Sequence, residues 1–201
     1  MIESFTTNRE VRRLAKNLLA QAVANEPKIT ADLQTIAREV SAEMVGLENK
    51  FKSEMSLIRK LIDMANINAQ TLEEVGEIIN DGLRYTFVLP FEIYAEGFRE
   101  TINRLYKIGC QIPAHRVWNT WKIVGIRRDR GYRGINITVL SSQKQIFELQ
   151  FHTSESYRFK TETHDLYKEA RNRETLPERR NEIREEFIKK AKEILIPKGV
   201  R

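Results

Sequence analysis

The run Phe147-Glu148-Leu149-Gln150-Phe151-His152-Thr153 decides how this chain is read. Phe147, Leu149 and Phe151 fall on one face and Glu148, Gln150 and His152 on the other, the period of two of a half-buried strand. One reading of the polar row is the solvated outer face of an antiparallel strand. The other is a site. A carboxylate can hold a hard cation through its oxygens and can help take the proton of an attacking hydroxyl. The amide can orient a substrate hydroxyl, and the imidazole can contact a phosphate.

Working outward, residues 134–140 and 145–152 predict a hairpin around Ser141-Ser142-Gln143-Lys144. Asp81-Gly82-Leu83-Arg84 opens another strand at about 82–89, stopped by Pro90. Residues 115–124 are strand-like, with Trp118 and Trp121. Asn8 can cap a first helix to about residue 25, with Val11, Leu14, Leu18 and Val23 as its apolar stripe; Asn25-Glu26-Pro27 should end it. Thr30 can cap a second helix to about residue 49, and a third starts at Ser53. Thr71 and Glu74 have capping-box spacing for a short fourth. A fifth runs from about 93 to 107, with Gly109 as its C-cap. One helix is expected over 154–172 and a last one from Pro177 to about 195, with Pro at the first position and Thr175/Glu178 at capping-box spacing. This order predicts an α+β fold: one mixed sheet of about four to five strands packed with helices. Residues 1–46 are expected to form a helical N-terminal extension on a domain spanning 47–201.

Bulk properties narrow the class. Hydrophobic residues make up 41% of the 201 and charged residues 31%, enough for a real core and too mixed in sign for global disorder. No apolar run approaches the roughly 20 residues of a membrane span, so no membrane partner is expected. Cys110 is the single cysteine, which excludes an internal disulfide and argues against a Cys-rich zinc site. The expected site of action is therefore the reducing cytoplasm, whether the protein is made there or delivered. Net charge is +6 and the pI about 9.4. Part of that charge is local, in Lys122, Arg127, Arg128, Arg130 and Arg133 beside Gly131 and Tyr132. Such a patch suits nucleoside triphosphates or RNA, and a tyrosine ring can stack on a base. A solvated basic loop is the plainer alternative.

Five segments in order resemble the nucleotide pyrophosphokinase domain of the RelA/SpoT family. They are Lys50 to Leu61, Asp81 to Arg84, Gly131 to Asn136, Glu148 to Thr153, and His164-Asp165-Leu166-Tyr167-Lys168. The resemblance covers about residues 47 to 170. It implies transfer of the β,γ-pyrophosphate of ATP to the 3′-hydroxyl of a purine nucleotide, with release of AMP and an alarmone-type product. Lys52, Arg59 and Lys60 would hold the donor ATP, and Arg84, Arg127, Arg128 and Arg130 would clamp phosphates. Asp81 and Glu148 would bind Mg2+, which keeps several waters and needs only one or two carboxylates. Gln150 would orient the acceptor ribose beside Glu148. Tyr132, Asn136, His152 and His164 would form the acceptor side.

The chain departs from the family pattern in places. Ile79 stands where the family has its strand aspartate, and Asp81 lies two residues later, a shift that keeps the same strand face. Asn136 replaces a histidine, and His152 and Lys50 replace arginines. These variants look most like the toxins of this fold carried by phages and secretion systems, which implies an immunity or antitoxin partner. Two alternatives stay open: pyrophosphate transfer to the 3′ end of tRNA, and a non-catalytic RNA-binding module built on the basic loop.

Overall fold

The computed structural model describes residues 2–68, 71–122, 132–172 and 174–200. The strand that opened the analysis is central. β5 (Ile146–His152) lies between β2 (Arg84–Val88) and β4 (Ile135–Leu140), in a five-stranded sheet completed by β1 (Glu43–Val45) and β3 (Val117–Asn119). The order is β1-β2-β5-β4-β3, with β2 and β5 parallel and every other pair antiparallel. The sheet is therefore mixed, as expected.

Register turns the period-two pattern into two faces. Phe147, Leu149 and Phe151 of β5 are at most 1% exposed. They share a face with Tyr85 and Phe87 of β2 and Ile135, Ile137 and Val139 of β4. Two helices cover that face: α1 (Ile2–Glu39) through Ala22, Ile29, Leu33 and Ile36, and α4 (Tyr94–Lys107) through Tyr94 and Leu105. The aromatic rings meet edge to face, Tyr85 on Phe147 at 5.8 Å and Phe98 on Phe151 at 5.0 Å. Gly109, at φ +81°, ends α4 in the left-handed turn expected of it. A second apolar cluster joins Val11 and Ala15 of α1 to Leu57, Ile58 and Leu61 of α2 (Glu54–Asn68) and Val75 of α3 (Leu72–Ile78). α3 begins with the predicted Thr71–Glu74 capping box.

Several elements differ from the sequence reading. Pro27 does not end the first helix: α1 runs unbroken from Ile2 to Glu39. Proline costs a helix one backbone hydrogen bond, but Pro27 and Val23 are exposed, where water can meet the freed Val23 carbonyl. Burial of Ala22 and Ile29 on either side outweighs the break. The helix expected to reach residue 49 stops at Glu39, and β1 follows, pairing with β2. The helix expected over 154–172 is two, α5 (Ser154–Glu162) and α6 (His164–Arg171), divided at Thr163, whose hydroxyl donates to the Phe159 carbonyl at 2.7 Å. α7 (Pro177–Ala191) starts at proline, but without the capping box, because the Thr175 hydroxyl donates to the Glu169 carbonyl at 2.6 Å. Within the described part, residues 115–124 supply only the short β3 between two 3-10 turns.

Candidate active site

The other sheet face carries the polar residues. Arg84 stands opposite Glu148, Thr86 opposite Gln150 and Val88 opposite His152 across the parallel pair; Thr138 and Asn136 of β4 flank Glu148 and Gln150. One strand residue in two from three neighbouring strands thus projects into a common area.

Asp81 is brought to this face by the chain on both sides of it. Lys50 to Lys52 runs antiparallel to the entry of β2: the Arg84 amide donates to the Lys50 carbonyl at 2.8 Å and the Lys52 amide to the Gly82 carbonyl at 3.1 Å. That pairing sets Lys52 beside Asp81, and the first half of α2 brings Lys60. The two ammonium groups divide the carboxylate, Lys52 Nζ to Oδ2 at 2.8 Å and Lys60 Nζ to Oδ1 at 2.7 Å. Burial alone would push the Asp81 carboxyl up, yet the charges of Lys60 and Lys52 with their hydrogen bonds hold it below its usual value. Asn80 donates from Nδ2 to Thr138 Oγ1 at 2.7 Å. Thr138 is the β4 partner of Glu148, so this bond carries the Asp81 turn over to the Glu148 end of β5.

Glu148 is pushed the other way. Burial raises its carboxyl pKa and the negative charge of Asp81 adds to the rise; Arg84, the Gln150 hydrogen bond and Lys60 oppose it. Gln150 Nε2 donates to Glu148 Oε1, while Lys160 of α5 donates to Gln150 Oε1 at 2.5 Å. The negative charge of Asp81 reaches Glu148, and these two carboxylates are the residues that would hold a Mg2+ ion, with water completing its shell. No group of three or more metal-ligating side chains occurs among the described residues.

The expected acceptor residues divide. Tyr132 and Asn136 are together: the Tyr132 hydroxyl donates to Asn136 Oδ1. His152 is fully buried behind them, with Nε2 3.0 Å from the Tyr132 hydroxyl and Nδ1 3.0 Å from Ser156 Oγ. Burial drives its pKa well down, helped by the charge of Lys160. This corrects its expected role. A neutral ring with both nitrogens occupied supports Tyr132 rather than contacting a phosphate. Gly134 makes room for it, since a Cβ there would sit 2.6 Å from the Phe151 carbonyl oxygen and 3.1 Å from the imidazole. His164 is exposed at the start of α6; its pKa is lowered by burial first, then by the charges of Lys168, Arg84 and Lys160. Gln150 is also less free than expected, with its two amide ends spanning Lys160 and Glu148.

Of the expected donor cations, Lys52, Lys60 and Arg84 converge, while Arg59 is exposed on α2 and takes no part in the Asp81 pair. Lys50 turns instead to Glu26 of α1 at 3.1 Å. Arg127, Arg128 and Arg130 lie outside the described residues. Two residues here escaped the sequence reading. Trp118 of β3 stacks on Tyr132 with centroids 5.5 Å apart and planes within 6°, and remains 46% exposed. Lys160 is the other. Nothing local marks either, because a strand tryptophan and a helix lysine are ordinary in sequence.

A comparison with protein-family models finds no match, and a search of curated proteins finds none either. Solved structures do match. The small alarmone synthetase 1 of Bacillus subtilis bound to its product pppGpp superposes with a TM-score of 0.59 at 15% identity, over 87% of this chain and 86% of that one. A GTP pyrophosphokinase family protein of Streptococcus pneumoniae gives 0.58 at 18%, over 88% and 83%. A chain from the complex between the Type VI effector Tas1 and its immunity protein gives 0.56 at 17%, over 88% and 94%. The chain has the fold of the alarmone synthetases, the RelA/SpoT-like α+β fold that its five segments resemble.

Proposed function

We propose that this protein is a nucleotide pyrophosphokinase that moves the β,γ-pyrophosphoryl group of ATP to the 3′-hydroxyl of a purine nucleotide and releases AMP. The observation that carries this reading is the meeting of Asp81, Lys52, Lys60, Arg84 and Glu148 on one sheet face. The fold is shared with a synthetase crystallised with pppGpp.

The chemistry follows from the charges. Transfer between phosphates is mostly positioning and neutralisation. Lys52 and Lys60, now shared with Asp81, would bind the ATP phosphates and leave the Asp81 carboxylate to Mg2+; Arg84 would clamp the transferred group. Bound Mg2+ would supply neutralisation at the β- and γ-phosphates. Glu148, with its raised pKa, suits acceptance of the 3′-hydroxyl proton. The oxygen then attacks the β-phosphorus, the bond to the α-phosphate oxygen breaks, and AMP leaves. Tyr132 and Trp118 offer a surface for the acceptor base. The likeness to the Tas1 complex supports a toxin role with a protein that neutralises it.

The test is incubation of the protein and Mg2+ with γ-labelled ATP plus GDP, GTP, ADP, ATP or bulk tRNA, with separation of products. Label on a free purine nucleotide together with AMP is expected. Label on tRNA alone would replace the acceptor, and no transfer to any of them would sink the reading.

A further inference from the structure

Lys160 is a half-buried cation beside the functional sheet face to which the scheme above gives no task. It reaches from α5 to Gln150 and lies near Arg84, a second cation, with Glu148 the favourable charge. Burial pulls its pKa down to about 8, and Arg84 pulls in the same direction. A lysine held in such surroundings opposes the ordinary tendency of its head group to seek water.

Its geometry has one clear effect. The two ends of an amide side chain are alike in shape, so it can be turned end for end wherever its partners allow. Here it cannot. An ammonium group only donates and a carboxylate only accepts. With Lys160 on one side and Glu148 on the other, Gln150 must present Oε1 to Lys160 and Nε2 to Glu148. Thr86, 3.5 Å from Oε1, could serve either orientation, because a hydroxyl can donate or accept. The direction is therefore fixed by Lys160 at one end and Glu148 at the other.

We propose that Lys160 is a positioning residue: its ammonium group locks the Gln150 amide in the one orientation that donates to Glu148, and so holds the Glu148 carboxylate in place between Arg84 and Asp81. The catalytic part of this assignment rests on the pyrophosphokinase reading; the orientation of Gln150 does not.

Two measurements separate the two. The first is the side-chain amide signal of Gln150 in protein labelled with 15N-glutamine, in wild type and K160M. In wild type the two amide protons should be widely separated and slow to exchange with water; in K160M the separation should narrow and the exchange quicken. An unchanged signal in K160M would overturn the proposal, whatever the enzyme does. The second is steady-state kinetics. Loss of a residue that orients another group in a site costs about 10- to 100-fold, so K160M should lose that much kcat with both KM values within about threefold. A kcat within twofold of wild type would overturn it. So would a rise in acceptor KM as large as the fall in kcat, since Lys160 would then be a ligand-binding cation. If K160M does not fold, K160C in folded form can be alkylated with 2-bromoethylamine, which rebuilds an ammonium group in place. Cys110 is buried with its thiol pKa raised and should be spared. Recovery of kcat and of the Gln150 signal is expected; absence of both would count against the proposal. Absence of transfer activity in wild type with the predicted Gln150 signal would sink the function and keep the orientation.

Discussion

Arg84 and Glu148 face each other across the parallel β2–β5 pair, a fixed cation opposite a carboxylate that burial has made reluctant to ionise. Because β2 and β5 are parallel neighbours, this opposition is set by backbone register and not by side-chain chance. E148Q keeps the shape and removes the charge. It should lower kcat by about 10²- to 10⁴-fold, the usual contribution of a general base. In wild type, kcat should rise with pH through the raised pKa of Glu148, and that limb should vanish in E148Q. The stability effect has the opposite sense. A carboxyl with a raised folded pKa stabilises fully below its unfolded value and loses that contribution as pH rises through the folded one. At pH 8, E148Q should melt no lower than wild type.

Asp81 is the reverse case, a carboxylate whose charge is needed. D81N would leave Lys52 and Lys60 half-buried without their partner. Loss of about 1–3 kcal/mol is expected from denaturant unfolding. The folded pKa of Asp81 is lowered, so its contribution exists above the unfolded carboxylate pKa and fades as pH falls toward the folded one. The gap between D81N and wild type should therefore close in acid. A gap that persists unchanged at pH 2 would show that packing and not charge is lost.

Tyr132 combines a stacking face with a hydroxyl held by Asn136 and His152. Base stacking on one aromatic ring is worth about 1–3 kcal/mol. Y132A and W118A should each raise the acceptor KM by roughly 5- to 100-fold while the KM for ATP stays within a few fold. Equal effects on both nucleotides would remove the pair from the acceptor side.

His152 predicts an acid sensitivity. Its folded pKa is depressed, so it stabilises above the unfolded histidine value near 6.5 and that stability is lost as pH falls below it. The charge facing it across the packed elements is Lys160; Tyr132 and Ser156 take its nitrogens, and the Arg133 backbone contributes a hydrogen bond. Melting temperature should fall more steeply between pH 7 and pH 5 in wild type than in H152Q. Parallel curves would show that the ring is already free to take a proton.

The parts of this fold visible in sequence are those whose signal is local and repeated. β5 alternates over seven residues, and its two faces are where the alternation puts them. The Thr71–Glu74 box and Gly109 depend on their own neighbours, and both hold. β1 has three residues and no period; only its pairing with β2 makes it a strand. Pro27 misleads because its local cost is met by the packing of Ala22 and Ile29 on either side of it. In the site, Glu148 is legible from the polar row of its strand, whereas Asp81 and Arg84 are expected through the resemblance of their segment to the family's motif. Lys160 asks for none until α5 is laid on the sheet, and Trp118 none until β3 is placed at its edge.

Pro27 gives a fold-level test. A proline inside a helix costs about 3 kcal/mol relative to alanine. P27A should raise stability by about 1–3 kcal/mol in denaturant unfolding, with activity unchanged.

The long helix α1 has a consequence for how the molecule comes apart. Its first half is packed with α2 and α3, and its second half with the sheet; the two apolar clusters are separate groups of residues. Structures built this way need not melt as one, and cooperative subunits of unequal stability are common within a single domain. The smaller cluster holds α2, and α2 carries Lys60. Hydrogen exchange should find the amides of α2 and α3 opening more readily than those of β5, so the donor side of the site is lost and regained while the sheet stays intact.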